Sequence, residues 1–163
     1  MKEYAMNKFI LSLGALCLLC ACFGCSGNKN GTVPVTVTVT YNGQPVEEAV
    51  VVFAPEDPSG TAANGATNAK GVTKMSSFVV NDGAKPGKYT VTIEKVTMEE
   101  ERDPKNEDHI LKTNVTYHVP AVYGSREQSG LTAEVVAKKK NEFTFELDDS
   151  RKDEQVKSTT SID

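Results

Sequence analysis

Across residues 33–41 the chain alternates without a break. Val33, Val35, Val37, Val39 and Tyr41 take the odd positions, and Pro34, Thr36, Thr38 and Thr40 the even ones. Side chains of an extended strand point to opposite faces with period two, so this run specifies a strand with one apolar and one polar face. Its residues are mostly β-branched, stiff at χ1 and suited to a pleated surface. Asn42-Gly43 follows, the dipeptide that most strongly marks a tight turn between strands. Residues 46–53 then read as a second strand. The two are expected to form a β-hairpin whose loop is lengthened by Gln44-Pro45.

The same grammar recurs downstream. Asn68-Ala-Lys-Gly71 and the cluster at residues 81–87 read as turns, with a strand over residues 72–80 between them and a short one near residues 64–67. Tyr89, Val91 and Ile93 alternate with Thr90, Thr92 and Glu94. Leu131, Ala133 and Val135 alternate with Thr132 and Glu134, and Phe143, Phe145 and Leu147 with Thr144 and Glu146. Lys138-Lys-Lys-Asn141 reads as the hairpin tip between the last two strands. No long stretch shows helical apolar spacing. The expectation is an all-β fold: one Ig-like or transthyretin-like sandwich of about seven antiparallel strands over residues 33–147. The expected core is Val35, Val37, Val39, Val50, Val52, Tyr89, Val91, Ile93, Leu131, Val135, Phe143 and Phe145. The segment at residues 97–114 breaks the pattern and reads as a charged loop. Residues 148–163 are charged and nearly devoid of apolar side chains, so they read as a disordered tail.

The amino-terminal part follows other rules. All four cysteines, Cys17, Cys20, Cys22 and Cys25, stand within nine residues, and the rest of the 163-residue chain has none. A disulfide framework needs cysteines spread through the fold, so the domain is built without one. Residues 9–28 carry no charge, and the apolar stretch of residues 9–19 is short for a membrane span of about 20 residues. This pattern reads as a targeting segment. Leu19-Cys20-Ala21-Cys22 resembles the lipobox of bacterial lipoproteins, whose last cysteine is acylated and becomes the new terminus. Cys22-Phe23-Gly24-Cys25 resembles it less closely, which makes Cys22 the first candidate for lipidation and Cys25 the alternative. An uncleaved membrane anchor and an ordinary signal peptide are the competing readings. The expected organisation is a signal peptide at 1–21, a tether at 22–32, the sandwich at 33–147 and the tail at 148–163. The nine residues 23–31 reach roughly 16 Å as a flexible coil.

Three segments in order carry a second resemblance. Residues 39–53 look like the opening of carboxypeptidase-regulatory-like domains, which are transthyretin-like sandwiches. Gly65-Ala-Thr-Asn-Ala-Lys-Gly71 is similar to their Thr-Asp-Ala-Asp-Gly turn, and Pro86-Gly-Lys-Tyr-Thr-Val-Thr-Ile93 to their Pro-Gly-x-Tyr-x-Val-x-Ile strand. The closing segments around Tyr123, Ser129 and Phe143 are similar to a group of bacterial lipoproteins with this domain. The resemblance implies a non-catalytic module on a surface or periplasmic protein, with no family catalytic set.

Function is less constrained than fold. A net charge of −4 argues against nucleic acid as a partner. The chain has two histidines, His109 and His118, which leaves little material for imidazole catalysis. Transthyretin-like folds include hydroxyisourate hydrolases, but Tyr123-Gly124-Ser125-Arg126 matches their Tyr-Arg-Gly-Ser end only in scrambled, internal form. The expectation is therefore no enzyme, no cofactor and no metal. The partners are membrane lipid, through an acylated cysteine, and an envelope protein or glycan. The alternative is a ligand-binding lipoprotein that takes a glycan or calcium on the 97–114 segment. Glu99, Glu100, Glu101, Asp103, Glu107 and Asp108 would supply oxygens, although the segment lacks the Asp-x-Asp-x-Asp-Gly spacing of a calcium loop. Tyr117 and Tyr123 would supply aromatic platforms. Lys138-Lys139-Lys140 is a basic cluster that would meet anionic headgroups.

Overall fold

The computed structural model describes residues 30–156, and the fold is an all-β sandwich. Among these residues ten strands run in chain order: β1 (Val35–Tyr41), β2 (Gln44–Pro45), β3 (Val50–Pro55), β4 (Ala63–Ala66), β5 (Val72–Lys74), β6 (Gly87–Glu94), β7 (Val96–Asp103), β8 (Asn106–Tyr117), β9 (Leu131–Val135) and β10 (Asn141–Leu147). One sheet centres on β1, with β10 on one side and β2 and β5 on the other. The second has the order β4-β3-β6-β9. The pair β7-β8 forms a separate two-stranded ribbon. The candidate acylation sites Cys22 and Cys25, with the whole 9–28 run, lie outside the described residues.

The alternation in β1 does what it predicts. Val35, Val37 and Val39 are buried, and the threonines between them face the other way. Phe53 of the second sheet meets Phe143 and Phe145 of the first edge-on, at centroid distances of 5.6 and 6.5 Å, and Tyr89 beside it at 5.6 Å. These rings close the space between the layers, and such pairs add to the area that they bury.

Several connections differ from the sequence reading. Asn42 and Gly43 both take positive φ, 49° and 77°. They close a two-residue turn that joins β1 to β2, so Gln44-Pro45 is the return strand and not extra loop. The chain then crosses to the other sheet, and residues 50–55 pair with β4 and β6 instead of β1. Thr67 fixes this crossing. Its buried hydroxyl donates to the Val46 carbonyl at 2.6 Å and accepts from the Ala49 amide at 2.8 Å. The crossing also sets the phase of β3. Val51 and Phe53 are fully buried, whereas Val50 is 42% exposed and Val52 intermediate. The inward set therefore has Val51 where Val50 and Val52 were expected. Leu131 and Phe143 are partly buried and pack against the core.

The strands β9 and β10 belong to different sheets, so Lys138-Lys139-Lys140 caps a crossover and not a hairpin. Asn141 closes it: its side chain accepts from the Val136 amide at 2.8 Å and donates to the Val136 and Lys139 carbonyls. Strand β10 then runs parallel to β1, Val35 opposite Asn141 and Tyr41 opposite Leu147. The sandwich is thus not purely antiparallel. Of the expected strand at residues 72–80 only Val72–Lys74 is extended.

The segment after β10 is not loose where it is described. A 3-10 turn (Asp149–Arg151) docks on the sandwich. Asp149 accepts from the Tyr41 hydroxyl and from Asn42 Nδ2, the latter at 2.9 Å. Arg151 donates to the Gln128 and Ser129 carbonyls at 2.6 and 2.7 Å and lies over the Tyr123 ring. These contacts correct the disordered-tail reading for residues 148–154.

Candidate functional site

The charged segment at 97–114 is a β-ribbon. Strand β6 ends at Glu94, β7 starts at Val96, and β8 returns the chain to the sandwich at Val119, which is buried. The register pairs Val96 with Tyr117, Met98 with Val115, Glu100 with Thr113 and Glu101 with Lys112. Leu111 is inserted as a bulge between Lys112 and Ile110. Both faces of the ribbon are wet, so it lacks the apolar alternation that marks a half-buried strand. Its strand character comes from β-formers at the base, opposed charges across the pair, and the turn at Asp103-Pro104-Lys105-Asn106. There Asp103 Oδ1 accepts from the Lys105 amide at 2.8 Å.

Strand pairing gives the ribbon two unlike faces, since directly opposed residues share a face. One carries Val96, Tyr117, Met98 and Val115, with Glu100 and Thr113 beyond them. Met98 is 70% exposed and Tyr117 57%. The other carries Thr97, Thr116, Glu99, Asn114, Glu101 and Lys112. Met98, Val115 and Tyr117 therefore form an open apolar patch at the base of the arm, with the half-buried Val96 at its inner edge and Thr97 and Thr116 on the other face.

Alternation also separates the acids. Glu99 and Glu101 lie on one face and Glu100 on the other, where Arg102 pairs with it at 2.6 Å. Calcium needs six to eight converging oxygens. Among the described residues no group of three or more His, Cys, Asp or Glu side chains is placed to hold a metal ion.

The histidines sit at the two ends of the arm. His109 Nδ1 is 3.9 Å from Asp103 Oδ2 near the tip. His118 Nε2 is 2.9 Å from Thr97 Oγ1 at the base, with both side chains exposed. A hydroxyl within reach of an imidazole is the first element of a nucleophile–base pair, but activation also needs the base oriented and water excluded. The two side chains of this pair stand on an open ribbon face.

Of the two aromatic candidates, Tyr117 is open and Tyr123 is buried under Arg151. A groove at the base of the arm is lined by Glu94, Tyr117, Gly124, Ser125, Arg126 and Glu127. Sequence reasoning placed Tyr117 near the segment but missed Met98 and Val115 as its neighbours. Met98 stands five residues before Asp103 and Val115 nine after Asn106, because the register shifts near the tip, so no symmetric spacing about the turn announced the pair.

Several carboxyls elsewhere are held as anions. The Tyr41 hydroxyl, then Asn42, lower the Asp149 carboxyl below its ordinary value, and the Tyr41 phenol is raised in turn. Burial raises the Asp82 carboxyl, but the amides of Ser77, Phe78 and Val79 outweigh it and the net shift is downward.

No known protein family matches this chain by family model, and no curated protein matches it. A 9R-lipoxygenase from Cyanothece PCC8801 matches in structure over 72% of this chain, at 10% identity and a TM-score of 0.35. The chain spans 17% of that protein's length. No helix among the described residues is long and apolar enough to cross a membrane.

Proposed function

We propose that this protein is a membrane-anchored, non-catalytic lipoprotein of the cell envelope, whose sandwich presents the β7-β8 arm to a partner protein. The observation that carries the interaction role is the open patch of Met98, Val115 and Tyr117, edged by Val96, on a ribbon that no third strand covers among the described residues. Exposed apolar clusters rimmed by charge mark association surfaces. The anchor rests on the uncharged run at 9–28 and the lipobox-like Leu19-Cys20-Ala21-Cys22, with Cys25 as the alternative. The carboxypeptidase-regulatory-like resemblance agrees with a non-catalytic module.

Two measurements test this reading. Intact mass of the membrane-extracted protein, with mapping of its first peptide, should give a diacylglyceryl cysteine at position 22 or 25. An unmodified chain refutes the anchor. A photocrosslinking amino acid at Met98 should give one discrete adduct in the envelope, and the same probe at Glu99, on the opposite face, should not. Equal labelling from both faces, or none, refutes the arm as an interaction surface. The second reading is a glycan stacked on Tyr117 in the groove with Glu94 and Arg126, favoured by the open ring. Tyr117→Ala should then abolish saccharide binding.

A further inference from the structure

The end of the sandwich opposite the arm carries a second exposed apolar feature. Strand β5 runs toward the start of β1, with Lys74 opposite Thr36 and the Met75 amide bonded to the Val35 carbonyl at 3.0 Å. Beyond it the chain turns through Phe78, Val79 and Val80. These are 49%, 62% and 84% exposed, and they are three consecutive large apolar side chains. The turn is built and not slack. Asp82 is buried and accepts from the Ser77 amide at 2.7 Å and from the Phe78 amide. Ser76 Oγ accepts from the Asn81 amide, and Lys85 Nζ lies 5.4 Å over the Phe78 ring.

The same turn holds the chain's path toward the amino terminus. Val33 and Ala84 exchange backbone hydrogen bonds of 2.9 and 3.1 Å. Gly83 lies so close that a Cβ there would stand 1.8 Å from the Val33 carbonyl oxygen. Val35 pairs with Asn141, so the exposed Lys138 and Lys139 share this end. Glu142 takes Lys140 at 2.8 Å. Glu56 and Asp57 lie past the end of β3 on the neighbouring corner, so the charge of this pole is mixed and the apolar turn is its distinguishing element.

We infer that Phe78, Val79 and Val80 form a wedge that inserts into the headgroup region of the bilayer to which the amino terminus is anchored, with Lys138 and Lys139 meeting anionic lipid. The inference rests on the anchor reading above. By the sequence reading, residues 23–31 would reach roughly 16 Å as a coil. That length holds the Val33 end of the sandwich against the membrane, and the wedge is bonded to that end. Apolar side chains at an interface with lysines beside them suit this placement. The wedge gives the sandwich one orientation, with the base of the arm on the side away from the surface.

The chain contains no tryptophan, so Phe78→Trp gives a single probe. The full-length protein carrying F78W, purified from membranes, is reconstituted in vesicles of phosphatidylethanolamine and phosphatidylglycerol at 3:1. Its emission should shift to the blue, and brominated acyl chains should quench it at least about 2-fold more than a probe at the arm, Met98→Trp. Val80→Trp should behave as F78W does. Equal, water-like emission from positions 78, 80 and 98 in a protein whose mass shows acylation overturns the wedge and leaves the anchor standing. Quenching at 78 in a chain without acyl mass supports the wedge and overturns the anchor, and water-like emission without acyl mass overturns both.

Discussion

The phase of β3 can be tested by truncating its valines one at a time. Val51 is fully buried between the sheets, Val52 is intermediate and Val50 is 42% exposed. Replacing Val51 by Ala removes two methyl carbons, worth about 1.6 kcal/mol at ~0.8 kcal/mol each, and leaves a cavity that the paired sheets cannot close. The expected cost is about 2–3 kcal/mol. Val50→Ala should cost about 0.5 kcal/mol, and Val52→Ala about 1 kcal/mol. A domain of this size is stable by roughly 6–17 kcal/mol, so the Val51 variant still folds and its loss is measurable. Urea denaturation followed by far-ultraviolet circular dichroism gives all three values. The slope should stay constant and the midpoint should move. The melting temperature of Val51→Ala should fall by about 10 °C. If Val50→Ala or Val52→Ala costs as much as Val51→Ala, the crossing between β2 and β3 is misread and the strand faces the other way.

Other perturbations probe the joints. Thr67→Val keeps the shape but leaves the Ala49 amide and the Val46 carbonyl without the hydroxyl, at a cost of about 1–3 kcal/mol by the same urea assay. Gly83→Ala must accommodate both a φ of 90° and the Val33 carbonyl, so it should cost more than about 2 kcal/mol and free the segment before β1 to proteolysis. The Asp149 carboxyl is held below its reference of 3.8, chiefly by Tyr41. Its stabilisation is therefore complete above pH 3.8 and is lost as the pH falls through the lower folded value. Tyr41→Phe should flatten the acid limb of the stability curve, and an unchanged limb would show that the Tyr41 contact does not hold this carboxyl. Amide exchange should be fast along Val96–Asp103 and Asn106–Tyr117 despite their pairing, because a lone two-stranded ribbon is only marginally stable. Protection equal to that of β1 would mean that the arm is already covered.

How far the sequence foretold this fold depends on which force shaped each element. Strand β1 was legible because one of its faces is dry and the other wet, and the valine–threonine alternation records that difference. The phase of β3 was not, because Val50, Val51, Val52 and Phe53 are all apolar and either parity satisfies the pattern. What decides it is a polar contact, Thr67 to Val46 and Ala49, which has no periodic signature. The parallel pairing of β1 with β10 joins residues about a hundred positions apart, and alternation names a strand's faces but not its neighbours. The arm was hidden for the converse reason: both of its faces meet water, so charge dominates its composition. Arg151 and Asp149 escaped because a docked polar turn has the composition of a loose tail. Of the candidate sites, the apolar face of the arm follows from the register, while Cys22 and Cys25 carry their signal in the sequence alone.

The two open apolar surfaces lie toward opposite ends of β6, and this arrangement follows from strand direction. Strand β6 starts at Gly87 beside the Phe78 turn and ends at Glu94, where the arm begins, so its eight residues span the sandwich from pole to pole. Its Tyr89, Val91 and Ile93 are buried along the whole length, which makes β6 a strut that cannot bend without opening the core. An orientation imposed at the Val33–Ala84 end is therefore carried to Glu94, where the arm begins, without a hinge inside the sandwich. Among the described residues the compliant part lies outside this strut, in the two-stranded ribbon. A protein that only had to be held at a membrane would need neither a buried Asp82 shaping an exposed apolar turn nor a ribbon projecting from the far pole. Together they fit the proposed reading, in which the sandwich sets where the arm begins and the ribbon adapts to what it meets.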